Sequence, residues 1–395
     1  MTGASADRWG LATRLVRAGL KRSDSHETSE ALYLTSGFVY DSAEEAEESF
    51  DGRRKRYVYS RFRNPTVRMF EERLMAIEGA EECRATATGM AAVSASLLCQ
   101  LRAGQRVVAN RALFGSCLWI VTELLPRFGV ETQLIDGTDL DQWRRALAKP
   151  TTCVFIETPT NPTLEIIDIA EVARLTHAAG GRLIVDNVFA TPLLQKPLML
   201  GADIVVYSAT KHIDGQGRCL GGAILGPRDH VENVLSPYLR HTGPTLSPFN
   251  AWVLLKGLET LELRVTRHCA NAERVARFLA DHASVSRTIY PGLPSHPQHN
   301  LAKSQMSGSG NIVAFEARGG KEHAFRILNK LALIDISNNL GDAKSLITHP
   351  WTTTHQSRSP DEKRAMGISE SLVRLSVGLE DANDLQADLA QALDG

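Results

Sequence analysis

The 395 residues contain no apolar run long enough to span a bilayer, so no membrane association is expected. The first thirty residues also lack the uninterrupted apolar stretch of a secretory signal. Cysteine is present but unpaired in pattern. Cys83, Cys99, Cys117, Cys153, Cys219 and Cys269 are scattered without a C-x-x-C pair, which gives neither a zinc motif nor a disulfide framework. A reducing cytoplasm and no metal centre are the expectations. Excess charge of one sign is missing as well: 44 Lys and Arg stand against 45 Asp and Glu, a net charge of -1. That balance leaves no electrostatic footprint for nucleic acid. There is no internal repeat, no low-complexity segment and no G-x-x-x-x-G-K-S/T loop. Gly215-Gln216-Gly217-Arg218 follows a lysine instead of opening a helix after a first strand, so it fails as a dinucleotide fingerprint. His296 and His299 stand in a Pro-rich loop without further ligand residues and read as structural or surface histidines.

What is present is ordinary globular material, 43% hydrophobic and 23% charged, at a length that suggests two domains plus an extension. Residues 1–65 read as an arm, with Arg53-Arg54-Lys55-Arg56 as a solvated basic loop. From residue 66 helices alternate with short apolar strands. Helices are predicted from Val67 to Ile77, closing near Gly79, from Met90 to Leu101, and from Asp168 to Ala179. Strands are predicted at 106–109, 130–135, 153–156, 183–185 and 204–207. This alternation implies right-handed crossovers and a mostly parallel sheet in a domain of residues 66–260. A long helix over Trp252 to Arg277 leaves it. Residues 261–395 then form a smaller α+β domain, with strands at 312–315, 332–334 and 372–377 and helices at 325–331 and 385–393.

Ligands of an open α/β sheet gather at the carboxyl ends of its strands. Three successive strands here end in polar clusters: Glu157 to Pro162, Asp186-Asn187, and Ser208 to His212. On one sheet these would align Asn161, Asp186 and Lys211 along one edge. Pyridoxal 5'-phosphate (PLP) chemistry needs a lysine to hold the cofactor's aldehyde and an acid to keep its ring nitrogen protonated. Lys211 and Asp186 suit those roles, Asn161 can bond the ring's phenolic oxygen, and Ser208 and Thr210 can donate to the phosphate. Thr88-Gly89-Met90 opens a helix, whose free N–H groups and dipole favour an anion. Singly, each feature is as well explained as a turn, a cap or an exposed lysine. Their order and shared location favour a PLP site.

These residues resemble the cystathionine γ-synthase family of Cys/Met-metabolism PLP-dependent enzymes, over nearly the whole chain. The likeness runs through Tyr57 to Arg61 with Asn64-Pro65-Thr66, then Thr88 to Ala92, Glu157 to Pro162, Asp186 to Pro192 and Tyr207 to Lys211. It ends in Thr348-His349-Pro350 and Val373 to Glu380. It implies the PLP-dependent transferase fold type I (aspartate aminotransferase-like), α/β, with a mostly parallel seven-stranded sheet in the large domain. The arm would embrace a neighbouring subunit, where Tyr59 and Arg61 reach the phosphate of the partner's cofactor, in a homotetramer built from dimers. Arg374, with the backbone around Asn339, would bind the substrate α-carboxylate, a task suited to a planar guanidinium.

Two departures carry information. Where the family generally stacks a tyrosine on the cofactor ring, this chain has Phe114, which lacks a hydroxyl for acid–base work. Proton transfer then falls on Lys211, with Tyr59. Where a glutamate marks members that handle an amino-acid thiol, this chain has Lys344. That pattern resembles the sulfhydrylase branch, which uses inorganic sulfide. The implied substrates are O-succinyl-L-homoserine and sulfide, giving L-homocysteine and succinate, with Lys344 or Arg63 facing the distal succinyl carboxylate. Cys117, without an adjacent base, reads as a small buried residue. O-acetylhomoserine sulfhydrylase, cystathionine γ-synthase and methionine γ-lyase chemistry stand as alternatives on the same fold. A nicotinamide-dependent oxidoreductase is the alternative from another class.

Overall fold

The strand-forming runs assemble into one seven-stranded sheet. In the computed structural model, which describes residues 8–394, its strands are β1 (Glu82–Thr86), β2 (Arg106–Asn110), β3 (Glu131–Ile135), β4 (Cys153–Glu157), β5 (Arg182–Asp186), β6 (Ile204–Ser208) and β7 (Gly222–Gly226). Their spatial order is β1-β7-β6-β5-β4-β2-β3. Strands β2 to β6 pair in parallel, and β7 runs against both β1 and β6. Side chains alternate in direction along a strand, so each strand feeds two cores. Val107, Ala109, Phe155 and Ile184 face a cluster containing Ala92, Leu97, Val121 and Leu125. Val108, Val154, Ile156, Leu183 and Val185 face Trp143, Ile169 and Val172. Burial on both faces is what their near-continuous apolar runs encode, each large side chain contributing about 1.5–3 kcal/mol.

Several helices begin on side-chain caps. Asn64 accepts from the Thr66 and Val67 N–H groups ahead of Pro65, and the Pro65–Glu78 helix stops at Gly79. Asp168 caps the Ile169–Ala178 helix through the Glu171 N–H. The Gly89–Leu98 helix begins on Thr88 as expected, and ends one turn short of the predicted Leu101.

A second sheet holds β8 (Val285–Ile289), β9 (Ile312–Ala317), β10 (Asp335–Ile336), β11 (Leu346–Thr348) and β12 (Leu372–Ser376), in the order β10-β11-β12-β9-β8. Helices Gly320–Lys330 and Ala382–Asp394 cover it through Ala324, Ile327, Leu385 and Leu389.

Two expectations need correction. The predicted strand at 332–334 is a bend, because the N–H groups of Ala332, Leu333 and Ile334 all donate to the Asp388 carboxylate, at 2.8 to 3.0 Å, instead of to a ladder. The strand begins only at Asp335. The single helix over Trp252 to Arg277 is two, Pro248–Glu259 and Leu261–Asp281, broken at Thr260. The break is satisfied by Arg264, whose Nη2 takes the Gly257 carbonyl at 2.7 Å. The basic run is the solvated loop expected, Arg53 to Lys55 being exposed, with Arg54 and Arg56 pairing with Glu45 and Arg53 with Asp51.

Candidate active site

Adjacent parallel strands β4, β5 and β6 bring their carboxyl ends together, with Glu157 opposite Asp186 in register. The edge predicted from the three polar clusters is therefore one edge. Asp186 is buried, and burial pushes its carboxyl well above the usual range although the Val188 N–H donates to it at 3.1 Å. Below it a polar network holds the turn: Tyr207 donates to Glu78 at 2.6 Å and accepts from Asn187 at 2.7 Å. Lys211 is half-buried. Loss of solvation, helped by the Arg374 charge, brings its amine down to about 8. Its Nζ donates to the Asn339 side chain at 2.6 Å.

Asn339 comes from the second sheet's side of the molecule, on the loop between β10 and β11. That loop is pressed against the segment following the lysine. At Gly341 (φ 70°) a Cβ would lie 2.7 Å from the His212 backbone nitrogen, so only glycine fits. Arg264, the residue at the helix break, holds the same segment by donating to the His212 carbonyl at 2.6 Å.

Arg374, on β12, is fully buried beside this loop. Its Nη1 donates to Asn161 Oδ1 at 2.9 Å, and its Nη2 donates to the Asn338 and Asn339 carbonyls at 2.9 and 3.2 Å. Its Nε is buried without a partner. Burial lowers its pKa to about 10, opposed by Glu157, so it stays cationic at neutral pH.

At the other side of the edge, the Gly89–Leu98 helix points its first turn at β6. Thr88 caps the Ala91 N–H at 3.0 Å, which leaves the Gly89 and Met90 N–H groups without intrahelical acceptors. A Cβ on Gly89 would come within 2.5 Å of Ser208 Cβ. Helix start and strand end thus meet at contact distance. Thr210 is engaged already, its hydroxyl accepting from the Gly221 N–H at 3.1 Å. Phe114 packs against the core of this face, and its N–H donates to Glu157 at 2.8 Å. Cys117 is buried, with Sγ 4.0 Å from Met90 Sδ, and burial near Asp186 and Glu157 raises its thiol. It is the inert small residue expected.

The fold therefore unites Lys211, Asp186, Asn161, Phe114, Gly89, Met90, Ser208, Thr210, Asn339 and Arg374. It does not bring Tyr59, Arg61, Arg63 or Lys344 to them within one chain. Tyr59 and Arg61 lie against Phe62, and Arg61 also bonds the Arg240 carbonyl. Arg63 is 3.8 Å from Glu232, and Lys344 is an exposed partner of Asp342 at 3.0 Å. His296 and His299 bond the Leu164 and Pro291 carbonyls, as structural histidines do. The backbone expected around Asn339 is the Asn338 and Asn339 carbonyls on Arg374. One contributor was given no role in the sequence reading, Glu157, which had a signal: an acidic residue closing an otherwise apolar strand.

PLP fits this arrangement on the structure's own terms. A buried carboxyl without a cation beside it awaits a protonated ring nitrogen, a half-buried amine is brought down to about 8, and a helix start with two free N–H groups abuts Ser208. The fold and site define a PLP-dependent enzyme. The sequence places it within that class: residues 12–394 match the Cys/Met metabolism PLP-dependent enzyme family, and the chain belongs to it. It is 58% identical over 394 residues to the O-succinylhomoserine sulfhydrylase of Mycobacterium tuberculosis, covering 99% of this chain and 97% of that protein. It is 46% identical over 381 residues to the O-succinylhomoserine sulfhydrylase of Pseudomonas aeruginosa, covering 96% and 94%. A Campylobacter jejuni structure carrying N'-pyridoxyl-lysine-5'-monophosphate superposes with a TM-score of 0.94 at 32% identity, over 98% of this chain and 100% of that one.

Proposed function

We propose that this enzyme exchanges the acyl group of O-succinyl-L-homoserine for sulfide, forming L-homocysteine and succinate in methionine biosynthesis by direct sulfhydrylation. The observation that carries the reading is the full-length likeness to two O-succinylhomoserine sulfhydrylases, on a site whose Lys211, Asp186 and Arg374 converge.

Bound PLP supplies an electron sink conjugated to the substrate α-carbon. The chain supplies the rest. Arg374 receives the α-carboxylate on its unpartnered Nε edge, while Asn161 and the Asn338 and Asn339 carbonyls hold the guanidinium plane. Asp186 holds a proton at the ring nitrogen. Asn161 has its Oδ1 committed to Arg374, so its amide N–H groups would be the ones to donate to the phenolic oxygen of a bound cofactor. Gly89, Met90 and Ser208 cradle the phosphate, with Thr210 beside them. Phe114 stacks without offering a proton, so Lys211 carries protons between Cα and Cβ, assisted by Tyr59 of a neighbouring copy. Succinate departs from Cγ and sulfide takes its place. Lys344 or Arg63 of a neighbouring copy faces the distal carboxylate of the ester.

Tyr59 and Arg61 complete the phosphate site of a neighbouring copy, in a homotetramer built from dimers. No helix among the described residues is long and apolar enough to cross a membrane. With six free cysteines, the cytoplasm is the compartment we assign.

The test is a product assay with O-succinylhomoserine and sulfide, run beside O-acetylhomoserine, cysteine and methionine. Homocysteine should form fastest from the succinyl ester and sulfide. Lys211→Ala should lose turnover and the yellow chromophore together. Sulfide-dependent turnover retained in that variant, or faster use of cysteine than of sulfide, refutes the assignment.

A further inference from the structure

Glu157 is a buried carboxyl that the reaction above does not use. It closes β4, is 5% exposed, and lies opposite Asp186 in register. Burial and the Asp186 charge both push its carboxyl well above the usual range, with Arg374 as the opposing cation. Placing a second acid here is costly, and closing a loop does not need one.

Its two oxygens are divided between two segments. Oε2 accepts from the Phe114 N–H at 2.8 Å, and Oε1 accepts from the Asn161 N–H at 2.9 Å. Its own N–H donates to Asn110 Oδ1 at 3.2 Å, at the end of β2. One carboxyl therefore ties the loop after β2, which presents the Phe114 ring, to the loop after β4, which presents Asn161. Through Asn161 the connection continues to Arg374 Nη1 at 2.9 Å.

We propose that Glu157 is a positioning residue that locks the stacking ring of Phe114 and the Asn161–Arg374 couple into one unit, setting cofactor and substrate carboxylate relative to each other. The proposal rests on the roles given to Phe114, Asn161 and Arg374 above. It requires two acceptor oxygens on one rigid group. Glutamine matches the shape of Glu157 but presents an NH2 to one of the two N–H donors, so it keeps only one arm of the clamp. Aspartate keeps the carboxyl but is one methylene short of spanning both.

The experiment compares holoenzymes of Glu157→Gln, Glu157→Asp, Phe114→Leu and Asn161→Ala, each first shown to be folded by far-UV circular dichroism. The readouts are the induced circular dichroism of the bound pyridoxal chromophore, the cofactor dissociation constant, and KM and kcat for O-succinylhomoserine. Glu157→Gln should weaken cofactor binding about tenfold, the scale of one lost buried hydrogen bond. It should also change the induced signal as Phe114→Leu does, and raise KM more than it lowers kcat, as Asn161→Ala does. A folded Glu157→Gln enzyme with unchanged dichroism, cofactor affinity and KM overturns the proposal while leaving the site assignment intact, provided the two reference variants do change them. If the reference variants change nothing, the site assignment is wrong and the clamp falls with it. If neither Glu157 variant folds, the residue is structural and the proposal fails.

Discussion

Lys211 is shaped by its surroundings more than by its chemistry. An exposed lysine titrates near 10.5, whereas this one is brought to about 8 by burial and by Arg374. Between those two values an unfolded chain binds more protons than the folded one, so the cofactor-free protein should gain stability as pH rises through that window. Below pH 8 the amine is charged in both states and its burial penalty is fully present. The same shift governs reactivity. Stripped of cofactor, the chain should recapture PLP at a rate that climbs through about pH 8 and levels off above it, followed by absorbance after rapid mixing. A midpoint near 10 contradicts the buried environment. Lys211, Asp186 and Asn161 were legible as residues because each stands in a polar cluster after an apolar strand. Glu157 was passed over because a carboxylate at a strand end looks the same whether it meets water or two backbone N–H groups.

Among the elements, the start of the Gly89–Leu98 helix carries the sharpest expectation. In an isolated helix, alanine in place of glycine gains about 1 kcal/mol. Here the added Cβ meets Ser208 at 2.5 Å, a contact that only backbone movement relieves. Gly89→Ala should therefore reduce cofactor affinity by at least about tenfold despite the better propensity, read by equilibrium titration of the apoprotein. Undiminished affinity would show that the phosphate does not sit against this turn. The two misread elements have different causes. The stretch over Trp252 to Arg277 has helical periodicity throughout, and its break is held from within by Arg264 on the Gly257 carbonyl. Ala332 to Ile334 have strand composition, but Asp388 captures their N–H groups from elsewhere in the fold. Local pattern does not report a partner distant in sequence.

For the whole molecule, the arm leaves an unfinished surface. Leu34, Val39, Phe50 and Tyr59 of this segment are exposed, as is Arg61. If Tyr59 and Arg61 serve the neighbour's cofactor, Arg61→Ala and Lys211→Ala should each be nearly inactive but should complement each other. A mixed dimer rebuilds one intact site, so equal co-assembly should restore about a quarter of wild-type activity per protomer. A mixture that stays inactive places Arg61 in its own subunit's site.

By itself the sequence determined the alternation of strands and helices, the lysine–aspartate pair and the family, because these are written in local periodicity and in short motifs whose chemistry is self-contained. Tertiary structure decided which groups meet across the chain: Asn339 on Lys211, Asn161 on Arg374, and Glu157 between Phe114 and Asn161. Those contacts join positions between 4 and 213 residues apart. Their energies depend on burial, direction and the absence of water, and these exist only once the strands have aligned their ends.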